Sequence, residues 1–183
     1  MGIGDEPCLI GGIEPREIII AEYNPVWPQQ YEAHAGVIRD VLGSTVLRIE
    51  HIGSTSVPGL AAKPIIDILA VVPDSADESS YVPQLGSVGY SLRVREPSFF
   101  EHRMLRTAAR DVHVHVFSPG APEIGRSITF RDRLRRSAED RARYEAVKRR
   151  LAAQSWPDMN AYAGAKTDII ESIIAAAVAA VDP

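Results

Sequence analysis

Cysteine is scarce in this sequence, because the 183 residues contain only Cys8. A single cysteine excludes an internal disulfide and a cysteine-rich metal site, and it is typical of the reducing cytoplasm, where we expect this protein. Long apolar runs are also absent, since the longest extends over the nine residues from Ile173 to Val181. A membrane-spanning helix needs roughly 18 to 20 such residues. We find no export or lipid-attachment signal near the N-terminus and therefore expect no membrane partner.

The net charge is small, because 20 lysine and arginine residues stand against 24 aspartate and glutamate residues, which gives a formal charge of −4. A chain with this balance does not attract duplex nucleic acid, which we exclude as a partner. The charge is uneven, since residues 131–150 contain nine basic and four acidic residues. This basic segment favours a small polyanion such as a nucleotide. The alternative is a solvated helix whose charges pair at i,i+4 spacing.

Composition and length indicate one globular domain. Hydrophobic residues make up 45% and charged residues 24% of the sequence, which is ordinary usage for a folded protein. No repeat, low-complexity tract or linker divides the chain, so we predict a single domain over residues 15–183. Residues 1–14 are rich in glycine and show no periodicity, and we predict that they form a flexible tail.

Hydrophobic periodicity predicts an α/β or α+β fold built on a sheet. The run at 64–72 is nearly all apolar, which predicts a central strand that is covered on both faces. Strands are predicted at 45–52, 64–72, 90–95, 101–107 and 111–117. Helices are predicted at 28–42, 83–88, 127–136, 137–154 and 159–181.

The residues from His51 to Leu69 carry most of the chemical information. A strand end is followed by the turn Gly53-Ser54, and an apolar strand then carries one carboxylate, Asp67. Gly53 would let backbone amides approach an anion, Ser54 offers a hydroxyl donor, and Asp67 could hold a Mg²⁺ ion that bridges phosphates. This combination suits phosphoryl chemistry, although the spacing is not that of a Walker A loop. Alternatively, the amides of the turn satisfy the Asp67 carboxylate, since a buried carboxylate needs a partner.

Several collinear segments resemble the GrpB family, a branch of the nucleotidyltransferase superfamily. The similarity covers nearly the whole chain beyond the tail. It rests on segments 25–28, 51–69, 85–90, 113–117, 130–135 and 144–148, together with Tyr162 and Lys166. The resemblance implies a nucleotidyltransferase-like mixed β-sheet flanked by helices, with C-terminal helices. It also implies that Gly53 and Ser54 form the Gly-Ser turn of the superfamily and that Asp67 is its first strand carboxylate.

This sequence departs from the superfamily pattern at two places. Leu69 stands where the superfamily has a second metal-binding carboxylate, and a later strand carries His113 and His115 instead of an acid. Residues two apart in a strand share a face, so both imidazoles could converge with Asp67 on a divalent metal. Such a set suits Zn²⁺, Mn²⁺ or Fe²⁺ better than Mg²⁺. The alternative is that one histidine packs against aromatic neighbours and hydrogen-bonds the backbone.

Further residues are predicted to act at this site. His51 could be a fourth metal ligand, a general base or a phosphate contact, and we predict catalytic roles for Asp67 and His51. The predicted phosphate-binding residues are Gly53, Ser54, Thr55, Lys63, Arg131, Arg135 and Lys166. The alternatives are an exposed turn for Lys63, acidic partners for the two arginines, and a cap that snorkels to solvent for Lys166. The predicted cofactor is a divalent metal, either Mg²⁺, Mn²⁺ or Zn²⁺.

Three functions are compatible with these residues. The resemblance implies binding of a nucleotide or phosphorylated small molecule with a divalent metal, and transfer of a nucleotidyl group to an unknown acceptor. The second function is a binding or accessory module without the chemistry, which Leu69 favours; in some bacteria a related domain is attached to dephospho-CoA kinase. The third function is a metal-dependent reaction of another type at Asp67, His113 and His115.

Overall fold

A mixed sheet is the centre of the fold in the computed structural model, which describes residues 8–12, 18–156 and 159–180. Its strands are β1 (Cys8–Leu9), β2 (Arg48–Ile52), β3 (Ile66–Val71), β4 (Tyr90–Glu96), β5 (His102–Thr107) and β6 (Val112–Phe117). They lie in the order β1-β4-β5-β6-β3-β2, and among these described strands only β3 and β6 are parallel neighbours. The predicted α/β fold is therefore confirmed, with β3 inside the sheet.

Helices cover both faces of this sheet. They are α1 (Trp27–Leu42), α2 (Val82–Ser87), α3 (Pro122–Arg136), α4 (Ala138–Ala152), α5 (Met159–Gly164) and α6 (Thr167–Ala179). The Ser137 hydroxyl caps α4, because it accepts a hydrogen bond from the Asp140 amide at 3.1 Å. None of the described helices is long and apolar enough to cross a membrane.

One face of the sheet packs against α1 and α2. Ile66 and Ile68 of β3 and Val114 of β6 are buried on this face. They meet a stripe of α1 residues that recur at helical spacing. The stripe consists of Trp27, Tyr31, Ala35, Ile38 and Leu42. Because side chains alternate along a strand, the residues between these positions of β3 and β6 belong to the other face.

The other face of the sheet packs against α3. Leu69 of β3 and Phe117 of β6 are buried there in an apolar cluster that α3 covers. Asp67 shares this face with Leu69, and His113 and His115 share it with Phe117. The parallel register places Asp67 opposite His113. The alternation of side chains along the two strands thus brings together Asp67, His113 and His115, the predicted metal ligands.

Two helices differ from their predicted extents by more than two residues. Helix α3 begins at Pro122 instead of residue 127, because proline suits the first helical turn, where its missing N–H has no intrahelical partner. The helix predicted at 159–181 is divided into α5 and α6, and Ala165 and Lys166 separate them. Gly164, a weak helix former, is the last residue of α5. Residue 181 of the predicted helix lies outside the described residues.

Part of the predicted flexible tail lies against the sheet. Residues 1–7 and 13–14 of that tail are outside the described residues. Cys8–Leu9 forms β1 and pairs antiparallel with β4. The Arg93 guanidinium donates hydrogen bonds to the carbonyl oxygens of Ile10 and Gly12. A two-residue edge strand has no periodicity, and for this reason the sequence pattern does not reveal it.

Candidate functional site

A cleft of about 410 Å³ opens on the sheet face that carries Asp67. Residues of β2, β3 and β6 and of all four helices from α3 to α6 line it. Besides Gly53, the cleft is lined by the polar residues Ser54, Lys63, Asp67, His113, His115, Glu123, Arg126, Ser127, Tyr144, Lys148, Tyr162 and Lys166. Seven of the eleven predicted site residues are therefore brought together in this cleft.

The Gly53-Ser54 turn brings the end of β2 close to Asp67. Gly53 has a φ of 68°, in the left-handed region that favours glycine. A Cβ at this position would collide with Oδ2 of Asp67 and lie 3.1 Å from its Cγ. Ser54 opens a short 3-10 turn, and its side chain lies beside the Tyr144 hydroxyl. The backbone of the turn consequently lies directly against the carboxylate.

Asp67, His113 and His115 form a cluster with the spacing of a metal site. Asp67 Oδ1 lies 3.6 Å from His113 Nδ1 and 3.5 Å from His115 Nε2. One ligand atom from each of the three residues lies within 4.8 Å of the others. Ligands about 2.1 Å from a tetrahedral ion are about 3.4 Å from one another. The three side chains therefore fit one ion after only small movements.

The chemistry of these donors favours zinc or a transition metal. Two imidazoles and one carboxylate suit Zn²⁺, Mn²⁺ or Fe²⁺ better than Mg²⁺. The three side chains are between 21% and 28% exposed, so an ion can reach them from solvent. Burial opposes ionisation of Asp67, but the hydrogen bond from His115 and the charges of both histidines and Lys63 outweigh it. The pKa of Asp67 lies below its usual value as a result, and Asp67 would be the anionic ligand.

Leu69, two residues after Asp67 on the same face of β3, occupies the position where the resemblance to the nucleotidyltransferase superfamily implies a second carboxylate. Its side chain is fully buried beside Ile52 and Phe117. It lies opposite His115 in the parallel register with β6. Two-metal phosphoryl transfer uses ions roughly 4 Å apart that are held by shared carboxylates. Strand β3 supplies one such carboxylate, Asp67, and an apolar residue at the second position.

Three lysines enter the same cleft from different elements. Lys63 precedes β3, Lys148 is on α4, and Lys166 precedes α6. The Nζ atoms of Lys63 and Lys166 lie 5.0 Å and 4.5 Å from the centre of the Tyr162 ring. Lys148 Nζ lies 4.8 Å from the centre of the Tyr144 ring. The cleft thus combines a ligand cluster for a cation with a group of amines.

Burial changes the acid–base properties of two of these lysines. It lowers the pKa of Lys148 to about 7, and the positive charge of Lys166 adds to this effect. Burial also lowers the pKa of Lys166, although Asp67 opposes the shift. Lys148 is 2% exposed and donates a hydrogen bond from Nζ to the carbonyl oxygen of Ala61. A phosphate group bound beside these amines would favour their charged forms.

Lys148, Tyr144 and Tyr162 line the cleft although none of them is a predicted site residue. Tyr144 and Lys148 are four residues apart, so they share one face of α4. Both side chains are buried, as is Leu151 on the same helix. A lysine within a buried helical stripe is the sequence signal that points to this site.

His51 and Thr55, for which the sequence predicts a catalytic and a phosphate-binding role, lie outside the lining of the cleft. The register pairs Ile52 with Asp67, and because side chains alternate, the preceding His51 points to the α1 face. Its ring stacks on Tyr31 at 4.6 Å, and its Nε2 is 3.1 Å from Thr55 Oγ1. The Thr55 hydroxyl donates to a backbone carbonyl 2.9 Å away. Burial is the main cause that lowers the pKa of His51 to about 4. This low pKa is typical of a neutral histidine in the core.

Arg131 and Arg135, which the sequence predicts to bind phosphate, donate hydrogen bonds to protein groups and do not line the cleft. Arg131 donates to Glu50 Oε2 at 2.8 Å and to the carbonyl oxygen of His51 at 3.1 Å. Arg135 donates twice to the carbonyl oxygen of Ser56, at 3.0 Å and 2.7 Å. These bonds fasten α3 to β2 and to the turn after Gly53. The two arginines therefore support the scaffold of the site.

Glu123 and Arg126 of α3 add an ion pair to the wall of the cleft. Arg126 Nε lies 3.0 Å from Glu123 Oε2, and its Nη1 lies 2.6 Å from Glu171 Oε1 of α6. Burial raises the pKa of Glu123. Neither residue is a predicted site residue, since an i,i+3 pair on a polar helix has no distinctive pattern.

Comparison with known proteins identifies relatives of this chain. A protein-family model described as GrpB protein matches residues 17–176. The UPF0157 protein BH1888 of Halalkalibacterium halodurans is 51% identical over 171 residues, which are 92% of this chain and 88% of the relative. The crystal structure of the conserved protein GrpB from Enterococcus faecalis is 32% identical with a TM-score of 0.76, covering 89% of this chain and 99% of that chain. A dephospho-CoA kinase of Mycolicibacterium paratuberculosis is 28% identical over 169 residues, which are 78% of this chain and 42% of the kinase.

Proposed function

Since this chain belongs to the GrpB family, we propose that its cleft binds a nucleotide or another phosphorylated small molecule together with a divalent metal. We further propose that the protein transfers a nucleotidyl group from this ligand to an acceptor. The observation that carries this proposal is the meeting in one cleft of three candidate metal ligands, a Gly-Ser turn and three lysines. The resemblance to the nucleotidyltransferase superfamily supports it, because the superfamily's Gly-Ser turn and strand carboxylate correspond to Gly53, Ser54 and Asp67.

The charges of the cleft favour a polyanionic ligand. Among its described lining residues, four basic side chains stand against two acidic ones. One of the acids is Asp67, whose charge a metal ion would balance. A di- or triphosphate would place anionic oxygens beside Lys148 and Lys166, where burial alone disfavours the ammonium form.

The residues of the cleft have separate tasks in the proposed reaction. The backbone amides and the hydroxyl of the Gly53-Ser54 turn would hold phosphate oxygens, as glycine-containing turns do elsewhere. The lysines would stabilise the negative charge that develops on the departing pyrophosphate. Asp67, His113 and His115 would hold the divalent ion, which supplies a Lewis acid for the phosphoryl group.

Leu69 favours a second candidate function, that of a binding or accessory module without transferase activity. Its buried position leaves β3 with one carboxylate, which is the specific departure from two-metal transferases. The similarity to part of a dephospho-CoA kinase is compatible with a module that works beside another enzyme. A metal-dependent reaction of another type, based on the histidine and aspartate donors, is the remaining alternative.

The first test measures binding to the wild type and to Asp67→Asn. We expect Mn²⁺ and a nucleoside triphosphate to raise Tm together by more than the sum of their separate effects. A ligand at one hundred times its Kd adds about 2.7 kcal/mol, or roughly 5 to 10 °C for a chain of this size. Asp67→Asn removes the anionic ligand and should abolish the metal-dependent part. Asp168→Asn, an exposed position on α6, is the matched control and should behave as the wild type.

The second test separates transfer from binding. Pyrophosphate release from nucleoside triphosphates would be followed with a panel of candidate acceptors, including the protein itself. Release that requires Asp67 would support a transferase. Tight, Asp67-dependent nucleotide binding without release would favour the accessory module, and unchanged nucleotide and metal binding in Asp67→Asn would reject the proposed site.

A further inference from the structure

Two polar residues, Glu96 of β4 and His102 of β5, lie next to the candidate metal ligand His115. Glu96 Oε2 lies 2.5 Å from His102 Nδ1, and His102 Nε2 lies 3.1 Å from His115 Nδ1. The other nitrogen of His115, Nε2, faces Asp67 Oδ1 at 3.5 Å. The four side chains thus form a continuous row from Glu96 to the metal-ligand cluster, and each ring nitrogen in the row has a polar neighbour.

The environment of His102 fixes its ring in this row. The residue is 6% exposed. Its ring stacks on Phe117 at 4.7 Å with an interplanar angle of 21°, and the Phe99 ring approaches it edge-on at 6.1 Å. A buried polar group held in this way cannot readily exchange its partners for water. The packing around His102 therefore maintains its hydrogen bonds to Glu96 and His115.

When His115 binds a metal through Nε2, the hydrogen-bond donors and acceptors of the row determine where the ring protons of His115 and His102 lie. Its proton must then be on Nδ1, which makes Nδ1 a donor to His102 Nε2. His102 accepts on Nε2 only when its own proton is on Nδ1, and that N–H donates to Glu96. An ionised Glu96 accepts it, and the hydrogen bond from His102 lowers the pKa of Glu96. All three steps agree with the observed contacts.

We propose that Glu96 and His102 are positioning residues for the metal site, because together they hold His115 in the tautomer whose Nε2 is free to bind the ion beside Asp67. This inference rests on the proposed function, since it requires the cluster to bind a metal. Partners of this kind orient a ligating imidazole and increase its basicity, and their loss typically weakens metal binding by about 10- to 100-fold.

The experiment is a calorimetric titration of Mn²⁺ alone into the wild type and variants. His102→Leu removes the acceptor for His115 Nδ1–H, and we expect its Kd for Mn²⁺ to rise by about 10- to 100-fold. His102→Gln should recover most of the affinity, because its amide oxygen can replace Nε2 as the acceptor. A merely structural role would not produce this difference between two variants that both lose the ring. Glu96→Gln keeps an acceptor and loses the charge, so we expect a smaller increase in Kd.

His34→Leu is the matched control for the loss of a histidine hydrogen bond. His34 Nδ1 lies 2.6 Å from the Tyr90 hydroxyl, and His34 belongs to α1 on the other side of the sheet. We expect its Mn²⁺ affinity to equal that of the wild type. The tautomer is observed directly by ¹⁵N NMR of the histidine rings in the Zn²⁺-loaded protein, where His115 should carry its proton on Nδ1.

The outcomes separate this inference from the proposed function. A wild type that binds neither Mn²⁺ nor Zn²⁺ contradicts the metal site itself, and the inference is rejected with it. A wild type that binds Mn²⁺, with His102→Leu, His102→Gln and Glu96→Gln all within twofold of it, leaves the metal site in place and rejects the inference alone. If His102→Leu fails to fold, Glu96→Gln decides the matter: a Kd for Mn²⁺ that rises more than twofold supports the inference, and one within twofold of the wild type rejects it.

Discussion

At the scale of single residues, Gly53 and Asp67 share a space that admits no additional methyl group. Gly53 has a φ of 68° and a ψ of −175°, a conformation essentially restricted to glycine, so Gly53→Ala would cost roughly 1 to 3 kcal/mol of backbone strain, and its Cβ would displace the Asp67 carboxylate. We therefore expect this variant to lose that much stability or more, and to bind Mn²⁺ at least tenfold more weakly. Urea unfolding and calorimetric titration measure the two effects.

Gly59→Ala is a control that isolates the contact with Asp67. Gly59 also has a positive φ, of 77°, but a Cβ added there would meet nothing within 4 Å. Its alanine variant should therefore also lose stability through backbone strain, but it should keep the Mn²⁺ affinity of the wild type. Equal Mn²⁺ affinities in the two alanine variants would show that the Gly53 turn does not position the carboxylate.

At the scale of strands, the alternation of side chains between two faces predicts which residues of one strand share a face, but it does not predict which face of that strand is turned to the cleft. His113 and His115 share a face because they are two residues apart, and this holds in any register. The face that His51 occupies depends on how β2 pairs with β3, which the pattern of β2 alone does not contain. A shift of one residue exchanges the two faces of a strand. His51 therefore packs on α1, although it lies only two residues from Gly53 in the chain.

Strand β3 also carries the prediction that concerns Leu69. Leu69→Asp buries a carboxylate against Ile52 and Phe117, and we expect it to lose several kcal/mol of stability, since buried charges without partners are costly. Leu69→Asn changes the shape in the same way without the charge and is the control. If the site is related to a two-carboxylate transferase, Mg²⁺ should raise the Tm of Leu69→Asp and leave that of Leu69→Asn unchanged. Equal responses of the two variants to Mg²⁺ would contradict that relationship.

At the scale of the whole molecule, the distribution of charge along the chain differs from its distribution in space. The basic segment 131–150 predicts a wall for a polyanion, yet Arg131 and Arg135 bind protein groups and Arg133 pairs with Asp140. The lysines of the cleft come from three separate places, before β3, on α4 and before α6. Counting charges in a window cannot detect such a group, because only the packing of α4 to α6 over the sheet brings it together.

The stability of the whole molecule should depend on pH through Lys148. Its pKa is about 7 in the folded protein and near 10.5 when exposed, so between these values the unfolded chain binds more protons. Stability must then rise with pH across this window, by at most about 1.4 kcal/mol per pH unit, and the contribution is flat below and above it. Lys148→Met keeps the side-chain length and removes the titrating group.

The difference in free energy of unfolding between wild type and Lys148→Met should therefore grow in favour of the wild type as pH rises from about 7 towards 10. Urea unfolding at pH 7, 8 and 9 measures it, with Arg150→Gln, an exposed change of the same charge on α4, as the control. Lys166, Glu145 and Arg149 also act on this amine, but they are present in every variant and their own titration largely cancels in the difference. A difference that stays constant over this range would mean that Lys148 titrates as an exposed lysine does. The cleft would then hold a charged amine at neutral pH even without a phosphate ligand.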